Sequence, residues 1–247
     1  MSSFLLILLV AFPADTLGIP NVPDRPEHAV TGSAFLTSHP EWTFAERQDA
    51  AVAELIRGNL PDHLRQLVPV ALPLDGDRVA TIWVTTDYLA IGSEDDFVRM
   101  PLSLPSARQV ASVFGMLLPS PGIVDAVYRA AEVKLRPQPM IPGPDMRSSA
   151  YYLEHNLIID TQLNGRLPNR LVAGHKKDVV ITNELLDRPD RVAIYGWHRA
   201  DGRPIQPVYL GHVDHYEDYS HGVRLIHPTA MVNGEAVALD RLIENDD

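Results

Sequence analysis

Cysteine is absent from this chain of 247 residues. The absence excludes disulfide bonds, thiolate metal ligands and a cysteine nucleophile, because each of them requires a sulfur atom that the sequence lacks. A hydrophobic fraction of 45% and a charged fraction of 21% are those of an ordinary globular protein. The chain can therefore bury a hydrophobic core without disulfide bonds, although cysteine content alone indicates no cellular compartment.

Basic side chains are scarce relative to acidic ones. Lysine and arginine number 21 against 32 aspartates and glutamates, which gives a formal net charge of -11. No basic run is longer than the pair Lys176-Lys177. Because a nucleic-acid partner requires a basic face that neutralises phosphates, the sequence predicts that the protein binds no nucleic acid.

Long hydrophobic runs are missing too. No stretch approaches the roughly 18 apolar residues that cross a bilayer, so we expect no stable membrane span. A shorter apolar run, Phe4–Phe12, has the length of the hydrophobic region of a secretory signal. Residues 1–18 are therefore predicted to be a signal segment. The alternative is a first core strand or a buried helix, because no lysine or arginine precedes the run.

Residues 19–42 and residues 43–247 differ in composition. The first segment is rich in proline, serine, threonine and histidine, which predicts a linker or an extended arm. The second is expected to form a single α+β domain, with helices early and a mostly antiparallel sheet late. A stretch rich in proline and glycine at residues 136–147 indicates either an internal domain boundary or a strap across one domain.

Three local signals support this fold class. Thr43 begins a capping-box pattern, which predicts the start of a helix. Pro105 and Pro121 are predicted to lie in the first turns of two further helices, where the missing N–H is tolerated. Asn233-Gly234 is typical of a two-residue hairpin turn and predicts two paired strands near the end of the chain.

Histidine is concentrated in the last third of the sequence. Six of the ten histidines lie between His175 and His227, together with several tyrosines and Trp197. Because imidazole exchanges protons near neutral pH, a cluster flanked by carboxylates and hydroxyls suits acid–base catalysis or metal binding. We therefore place the functional site between Gly174 and His227.

The first motif in this segment is Gly174-His175-Lys176-Lys177-Asp178. His175 is predicted to be a general base that the carboxylate of Asp178 orients, as the acidic member of a catalytic triad does. The alternative is a solvated turn that carries a pair of basic residues and has no catalytic role.

The second motif is Tyr195-Gly196-Trp197-His198. A glycine between two aromatic residues allows a ligand to approach the backbone closely. Tyr195 and Trp197 are therefore predicted to stack on a sugar or a peptide. The turn at Asp201 predicts that His198 lies on an accessible rim, where it would act as an acid–base group.

The third motif occupies residues 211–222 and is compatible with two chemistries. His212, His215 and His221 could bind zinc if a loop brings them together, although on a strand positions 212 and 215 would point to opposite faces. In the other chemistry, Ser220 is a hydroxyl nucleophile beside His221, and a base comes from another segment.

Residues 192–225 resemble the end of an L,D-transpeptidase catalytic domain. That family pairs an upstream His-Gly element with a Ser-His-Gly-Cys-hydrophobic-Arg box, and Ser220–Leu225 follows the box with its cysteine missing. The upstream histidine is also displaced, since His198 follows a glycine instead of preceding it. The resemblance implies a related β-fold in which Ser220 or a metal replaces the thiol chemistry. The motifs are similar, in addition, to those of exported bacterial proteins without an assigned mechanism.

These observations predict a secreted or periplasmic hydrolase that acts on a cell-envelope or extracellular polymer, either a peptide such as that of peptidoglycan or a glycan. The predicted catalytic residues are His175, Asp178, His198, Ser220 and His221. The predicted substrate-binding residues are Tyr195, Trp197, Tyr219 and Arg224. If the bond is glycosidic, two carboxylates would take the principal roles instead.

Two alternatives remain open at this stage. One is a zinc-dependent hydrolase with the metal on His212, His215 and His221; otherwise no cofactor is expected. The other is a non-catalytic module whose aromatic face binds a carbohydrate or a protein. The sequence indicates neither the bond cleaved nor the oligomeric state.

Overall fold

A computed structural model describes residues 17–165 and 170–243. The apolar run Phe4–Phe12, and with it most of the predicted signal segment, lies outside these residues. Seven α-helices and thirteen strands occupy the described part, and they bury apolar side chains in a main cluster and two smaller ones. The prediction of a single-domain α+β fold with a mostly antiparallel sheet is confirmed.

The elements are numbered in chain order. Helices α1 to α7 span Gly32–Thr37, Phe44–Ile56, Leu104–Phe114, Pro121–Ala130, Ser149–Leu163, Glu184–Asp187 and Asp240–Ile243. Strands β1 to β13 span Leu17–Gly18, Gln66–Pro73, Val79–Thr85, Ala90–Gly92, Phe97–Arg99, Val133–Lys134, Val172–Ala173, Lys177–Val180, Ala193–His198, Pro204–Tyr209, His221–Gly222, Thr229–Val232 and Glu235–Ala238. Short 3-10 helices lie at Asp62–Arg65 and Pro144–Arg147.

Helix starts follow the local capping signals. The Thr43 hydroxyl accepts a hydrogen bond from the Glu46 amide, and the Glu46 carboxylate accepts one from the Thr43 amide, which completes the capping box of α2. Ser103 and Ser120 cap α3 and α4, and each helix has a proline in its first turn. All three predicted helix starts are confirmed.

The larger sheet has five strands in the order β1-β2-β3-β12-β13, and every neighbouring pair is antiparallel. The predicted hairpin joins β12 to β13, because Asn233 and Gly234 adopt the positive φ angles that such a turn requires. Helix α4 packs near this sheet, since Ile123 and Val127 share a buried cluster with Ile82. This packing holds in place the helix that contributes a carboxylate to the site.

The smaller sheet has the order β10-β9-β8-β11, with β11 parallel to β8 and the other pairs antiparallel. One row across it aligns His221, Lys177 and Gly196, and the next row aligns Gly222 with Asp178. Because successive side chains of a strand point to opposite faces, Lys177 and Asp178 lie on opposite sides of this sheet. Most of the predicted site residues belong to this sheet or to its connections.

Residues 19–42 pack onto the domain. Ile19 and Leu36 are buried in the main cluster, which also contains Leu225 from the far end of the chain. Helix α1 lies within this segment, capped by the hydroxyl of Thr31. An apolar residue at each end of the segment thus fixes it against the core.

Residues 136–147 run as a strap over the same body. The Met140 amide donates a hydrogen bond to the Tyr219 hydroxyl at 2.8 Å. Arg136 and Gln162 exchange two hydrogen bonds between backbone and side chain, which tie the strap to the end of α5. Within the described ranges, no helix combines the length and the hydrophobicity that crossing a bilayer requires.

Candidate functional site

Strand β9 is kinked where the second motif lies. Positions 195 and 198 of a regular strand would point to opposite faces. Here Gly196 has a φ of 108° and Trp197 a φ of 57°, so two successive residues leave the extended conformation. A left-handed conformation is strained for a bulky side chain such as tryptophan. The kink turns Tyr195 and His198 toward the same carboxylate, and strain of this kind is frequent at functional sites.

That carboxylate is Asp125 of helix α4. His198 Nε2 lies 2.8 Å from Asp125 Oδ1, and the Tyr195 hydroxyl donates to the same oxygen at 2.9 Å. Burial raises the pKa of Asp125, but the hydrogen bonds from His198 and Tyr195 outweigh it and hold the pKa below its usual range. A charged Asp125 therefore accepts from Nε2–H and leaves Nδ1 of His198 as the nitrogen that can take a proton.

A pocket of about 400 Å³ adjoins this His–Asp pair. Its lining consists of Asp125, Tyr128, Arg129, Lys134, His198, Ala200, Asp201 and Gly202. The Tyr128 ring stacks on the His198 ring with centroids 4.4 Å apart and an angle of 14°. The prediction of an exposed rim position for His198 is wrong, because this stack and the bond to Asp125 leave the residue only 2% exposed.

Gly196 leaves space beside the reactive edge of the imidazole. A Cβ atom at this position would lie 3.5 Å from both Nδ1 and Cε1 of His198, and 3.4 Å from Val124 Cγ1. These are ordinary van der Waals distances, so the positive φ of residue 196 is the observed reason for a glycine here. That the glycine admits a ligand stays a prediction.

His175 has a different partner from the predicted one. Its Nε2 lies 3.0 Å from Asp87 Oδ1, while Asp178 accepts a hydrogen bond from the Tyr88 hydroxyl at 2.8 Å. Burial lowers the pKa of His175 to about 4, although the charge of Asp87 opposes this shift. His175 is 1% exposed, so the structure places it in a core network and not in a cleft.

This core network continues to the surface through Arg99. The guanidinium binds Asp87 at 2.8 Å and Asp160 at 2.9 Å, and it also binds the side chain of Asn156. Burial lowers the pKa of Arg99, but Asp87 and Asp160 outweigh it and raise the pKa above its ordinary value. This network of ion pairs and hydrogen bonds holds β5, α5 and the β3–β4 connection together.

Arg224 also has a structural place. Its guanidinium donates to the carbonyl oxygens of Thr85 and Val172, and it lies 4.7 Å from the centre of the Tyr88 ring. The residue is 1% exposed. In this position it joins three segments of backbone and does not reach solvent, where a substrate would arrive.

Ser220 is not paired with a histidine. Its hydroxyl donates to Asp218 Oδ1 at 2.6 Å, and the residue is fully buried. The neighbouring Gly222 is enclosed as well, because a Cβ there would lie 2.6 Å from Tyr88 Cδ1. The position that follows the glycine of the transpeptidase-like box is thus occupied by core packing, and a serine nucleophile receives no support from this geometry.

The predicted aromatic residues do not share one wall. Tyr195 is bound to Asp125, as described above. Trp197 is buried, with the ammonium group of Lys177 4.9 Å from its ring centre. Tyr219 is buried against the strap and meets the His155 ring edge-on at 4.9 Å. A continuous stacking surface for a sugar is therefore not formed by these three rings.

The three histidines of the zinc alternative are only partly assembled. The ring centres of His212 and His221 are 6.3 Å apart, whereas two imidazoles on one zinc lie on the order of 5 Å apart, as zinc–nitrogen bonds of about 2 Å imply. His215 is largely exposed and pairs with Asp214 at 3.2 Å. In the described part of the chain, no group of three or more histidine, aspartate or glutamate side chains has the arrangement of a metal site.

Sequence reasoning did not find Asp125, Tyr128 or Asp87. Asp125 lies 73 positions before His198, on an otherwise apolar helix, and no local pattern marks it. Its position on the face of α4 turned toward β9 becomes visible only once the helix is packed. A hint was available in the glycine of the second motif, which indicated where the strand could kink.

Comparisons with protein-family models, with curated proteins and with solved structures find no match for this chain. The likeness of residues 192–225 to the L,D-transpeptidase box therefore stays a prediction. Among the arrangements described above, the pair formed by His198 and Asp125 combines an oriented imidazole with an adjoining pocket.

Proposed function

We propose that the protein is a hydrolase in which His198 is the general acid–base group and Asp125 orients it. The observation that carries this proposal is the 2.8 Å contact between His198 Nε2 and Asp125 Oδ1 on the wall of an open pocket. A carboxylate that holds one imidazole nitrogen leaves the other to accept a proton from the attacking group.

Water is the nucleophile that suits this site best. Ser220 is buried and bound to Asp218, so a side-chain hydroxyl from the box is not available. His198 Nδ1 would take a proton from a water molecule held over Gly196, and would return it to the leaving group. Tyr195 would steady Asp125, and Arg129 and Lys134 would meet polar or negative parts of a substrate at the pocket wall.

The substrate that we propose is a polymer of the cell envelope or of the extracellular space, either a peptide or a glycan. The pocket is open and has charged as well as uncharged residues in its lining. It would hold one section of a polymer that extends past the pocket in both directions. Support for a secreted or periplasmic location comes only from the apolar run Phe4–Phe12 of the sequence.

Product release from defined polymers tests this proposal. Purified protein would be incubated with peptidoglycan sacculi, with soluble glycans and with peptides, and soluble fragments would be identified by mass spectrometry. We expect release by the native protein and a loss of about 100- to 10,000-fold in the His198→Gln variant, as the removal of a general acid–base group produces. His215→Gln is the matched control, because His215 is exposed and distant in sequence from α4.

Two results would contradict the proposal. Equal release by the native protein and by His198→Gln would show that His198 has no catalytic role. Sedimentation of the protein with a polymer, without fragments from any substrate class, would instead favour the non-catalytic binding module. Circular dichroism of each variant would establish that the comparison is made between folded proteins.

A further inference from the structure

A second cluster of nitrogen-bearing side chains lies on the other face of the smaller sheet. Lys177 of β8 and His221 of β11 are register partners, so their side chains project to the same side. His212, from the connection before β11, lies with its ring centre 6.3 Å from that of His221. Lys177 and His212 are half-buried, whereas His221 is fully buried. The first two therefore form a mouth, and the imidazole of His221 lies below them.

Within the part of the chain that the structure describes, these nitrogen groups lack acceptors. Neither ring nitrogen of His221 has a hydrogen-bond partner there. Across residues 17–165 and 170–243, no hydrogen bond or ion pair engages the Lys177 ammonium or the His212 ring. A buried polar group without a partner costs roughly 1–3 kcal/mol, so native proteins rarely leave one unpaired. One such buried imidazole, below two half-buried cationic or imidazole side chains, indicates a place for an acceptor from outside the chain.

The nearby carboxylate does not meet this demand. Asp218 accepts hydrogen bonds from the amide and the hydroxyl of Ser220 at 2.8 and 2.6 Å, and from the Tyr216 hydroxyl at 3.1 Å. Its Oδ2 is 3.9 Å from His221 Nε2, which is too long for a hydrogen bond. Asp218 therefore places a negative charge beside the cluster, but its oxygens already accept hydrogen bonds from Ser220 and Tyr216.

The mouth of the cluster is shaped by two stacked rings. His212 lies flat on Tyr216 with ring centres 4.0 Å apart, and the Tyr216 ring meets His221 edge-on at 5.8 Å. On the other side, Lys177 extends over the buried ring of Trp197 at 4.9 Å. These contacts restrict how far the three nitrogen groups can move relative to one another.

We propose that Lys177, His212 and His221 form a binding site for an oxyanion, the group carried by a carboxylate or a phosphate. Its oxygens would accept hydrogen bonds from the ammonium of Lys177 and from one nitrogen of each imidazole. The site is distinct from the His198 pocket, because β8 directs Lys177 away from the face on which Asp178 lies. The proposal does not depend on the proposed hydrolase activity.

Binding of an oxyanion should be coupled to proton uptake. Burial lowers the pKa of His221 to about 4. The negative charge of Asp218 acts against this shift, whereas the charges of Lys177, His212 and Lys176 add to it. Burial also lowers the pKa of His212. Both imidazoles are therefore mainly neutral at pH 7, and a bound anion would favour their charged forms. Affinity should rise as the pH falls from about 7 toward 5.

Calorimetric titration with inorganic phosphate and with acetate tests the site in the full-length protein. We expect saturable binding of at least one of the two probes, weakened tenfold or more in Lys177→Met and in His221→Gln. Arg78→Met is the matched control, since Arg78 is exposed in the turn between β2 and β3 and belongs to neither site, and it should leave the affinity unchanged. Because His221 is buried, Lys177→Met decides the result if His221→Gln is unfolded.

Three outcomes would overturn the proposal. The first is the absence of saturable binding for both probes at pH 6. The second is binding that Lys177→Met leaves intact, and the third is binding that Arg78→Met weakens equally, which would reveal non-specific attraction to positive charge. Preference for phosphate over acetate, or the reverse, would identify which source of the oxyanion the site selects.

Discussion

At the scale of single residues, Asp125 is unusual because one oxygen atom serves two donors. Both His198 and Tyr195 bind Oδ1, at 2.8 and 2.9 Å. Burial together with the charge of Asp125 raises the pKa of Tyr195 well above its ordinary value, so the phenol stays protonated and keeps donating. The imidazole is thus fixed in position by a carboxylate that is itself fixed.

The Asp125→Asn variant tests whether catalysis needs the charge of Asp125, which orients His198, or only the volume of its side chain. In Asp125→Asn the side chain keeps its size but loses its charge, and it no longer favours the tautomer with a proton on Nε2. We expect kcat/KM on a cleaved polymer to fall roughly 100-fold or more. Asp201→Asn changes the same pocket without touching His198 and should lose less than about threefold. Equal losses in the two variants would count against an orienting role for Asp125.

At the scale of elements, the kink in β9 determines where His198 points. Gly196→Ala places a Cβ at a positive φ of 108°, while the contacts of that Cβ to Val124 and His198 are ordinary, so we expect backbone strain to lower the free energy of unfolding by about 1–2 kcal/mol. Gly122→Ala is the matched control, since Gly122 lies in the first turn of α4 without a positive φ, and the free energy of unfolding should not fall. Urea unfolding measures both, and equal losses would mean that the positive φ at position 196 causes no strain.

The network around Arg99 connects elements that are far apart in the sequence. Asp87→Asn removes one of its two carboxylate partners and leaves a buried guanidinium partly uncompensated. We expect a loss of roughly 3–5 kcal/mol in the free energy of unfolding. Asp160→Asn removes the other partner, whose side chain is 43% exposed, and should cost less because water can replace it. Denaturant titrations compare the two, and a larger loss for Asp160→Asn would contradict this assignment.

At the scale of the whole molecule, buried histidines make stability depend on pH. Burial lowers the pKa of His155 to about 2 and those of His175 and His221 to about 4. An unfolded chain takes up these protons near pH 6.5, whereas the folded chain does not, so acidification favours unfolding below that pH. Asp178 opposes the trend, because burial raises its pKa to about 6 and the folded state then binds a proton more readily.

His155→Leu should therefore be more stable than the native protein. Among the described residues, neither ring nitrogen of His155 has a partner at normal hydrogen-bond geometry, and the residue is fully buried. We expect a gain of about 1 kcal/mol in the free energy of unfolding at pH 7 and a weaker loss of stability between pH 6.5 and 4. His215→Leu, at an exposed position, should change neither quantity. An unchanged pH slope in His155→Leu would show that this histidine is protonated in the folded state.

The features of the fold that the sequence predicts correctly depend on residues that are neighbours in the sequence. The capping box at Thr43 and the Asn233-Gly234 turn need only neighbouring residues, so the sequence indicates them directly. The site was harder, because Asp125 and His198 meet only after α4 has packed beside β9. The left-handed conformation of Trp197 has no sequence signal at all. The density of histidine indicated a segment that includes His198, but most of the histidine rings in that segment are buried in the interior.

Strand β8 sends Lys177 to the proposed oxyanion site and Asp178 to the opposite face. A deletion or insertion of one residue in this strand would exchange the two faces at once, because the side-chain repeat of a strand is two. Neither face could then keep its charge pattern, even if every side chain were retained. Changes in chain length should consequently be tolerated only in the connections outside β8, whereas within it the protein can vary only by substitution.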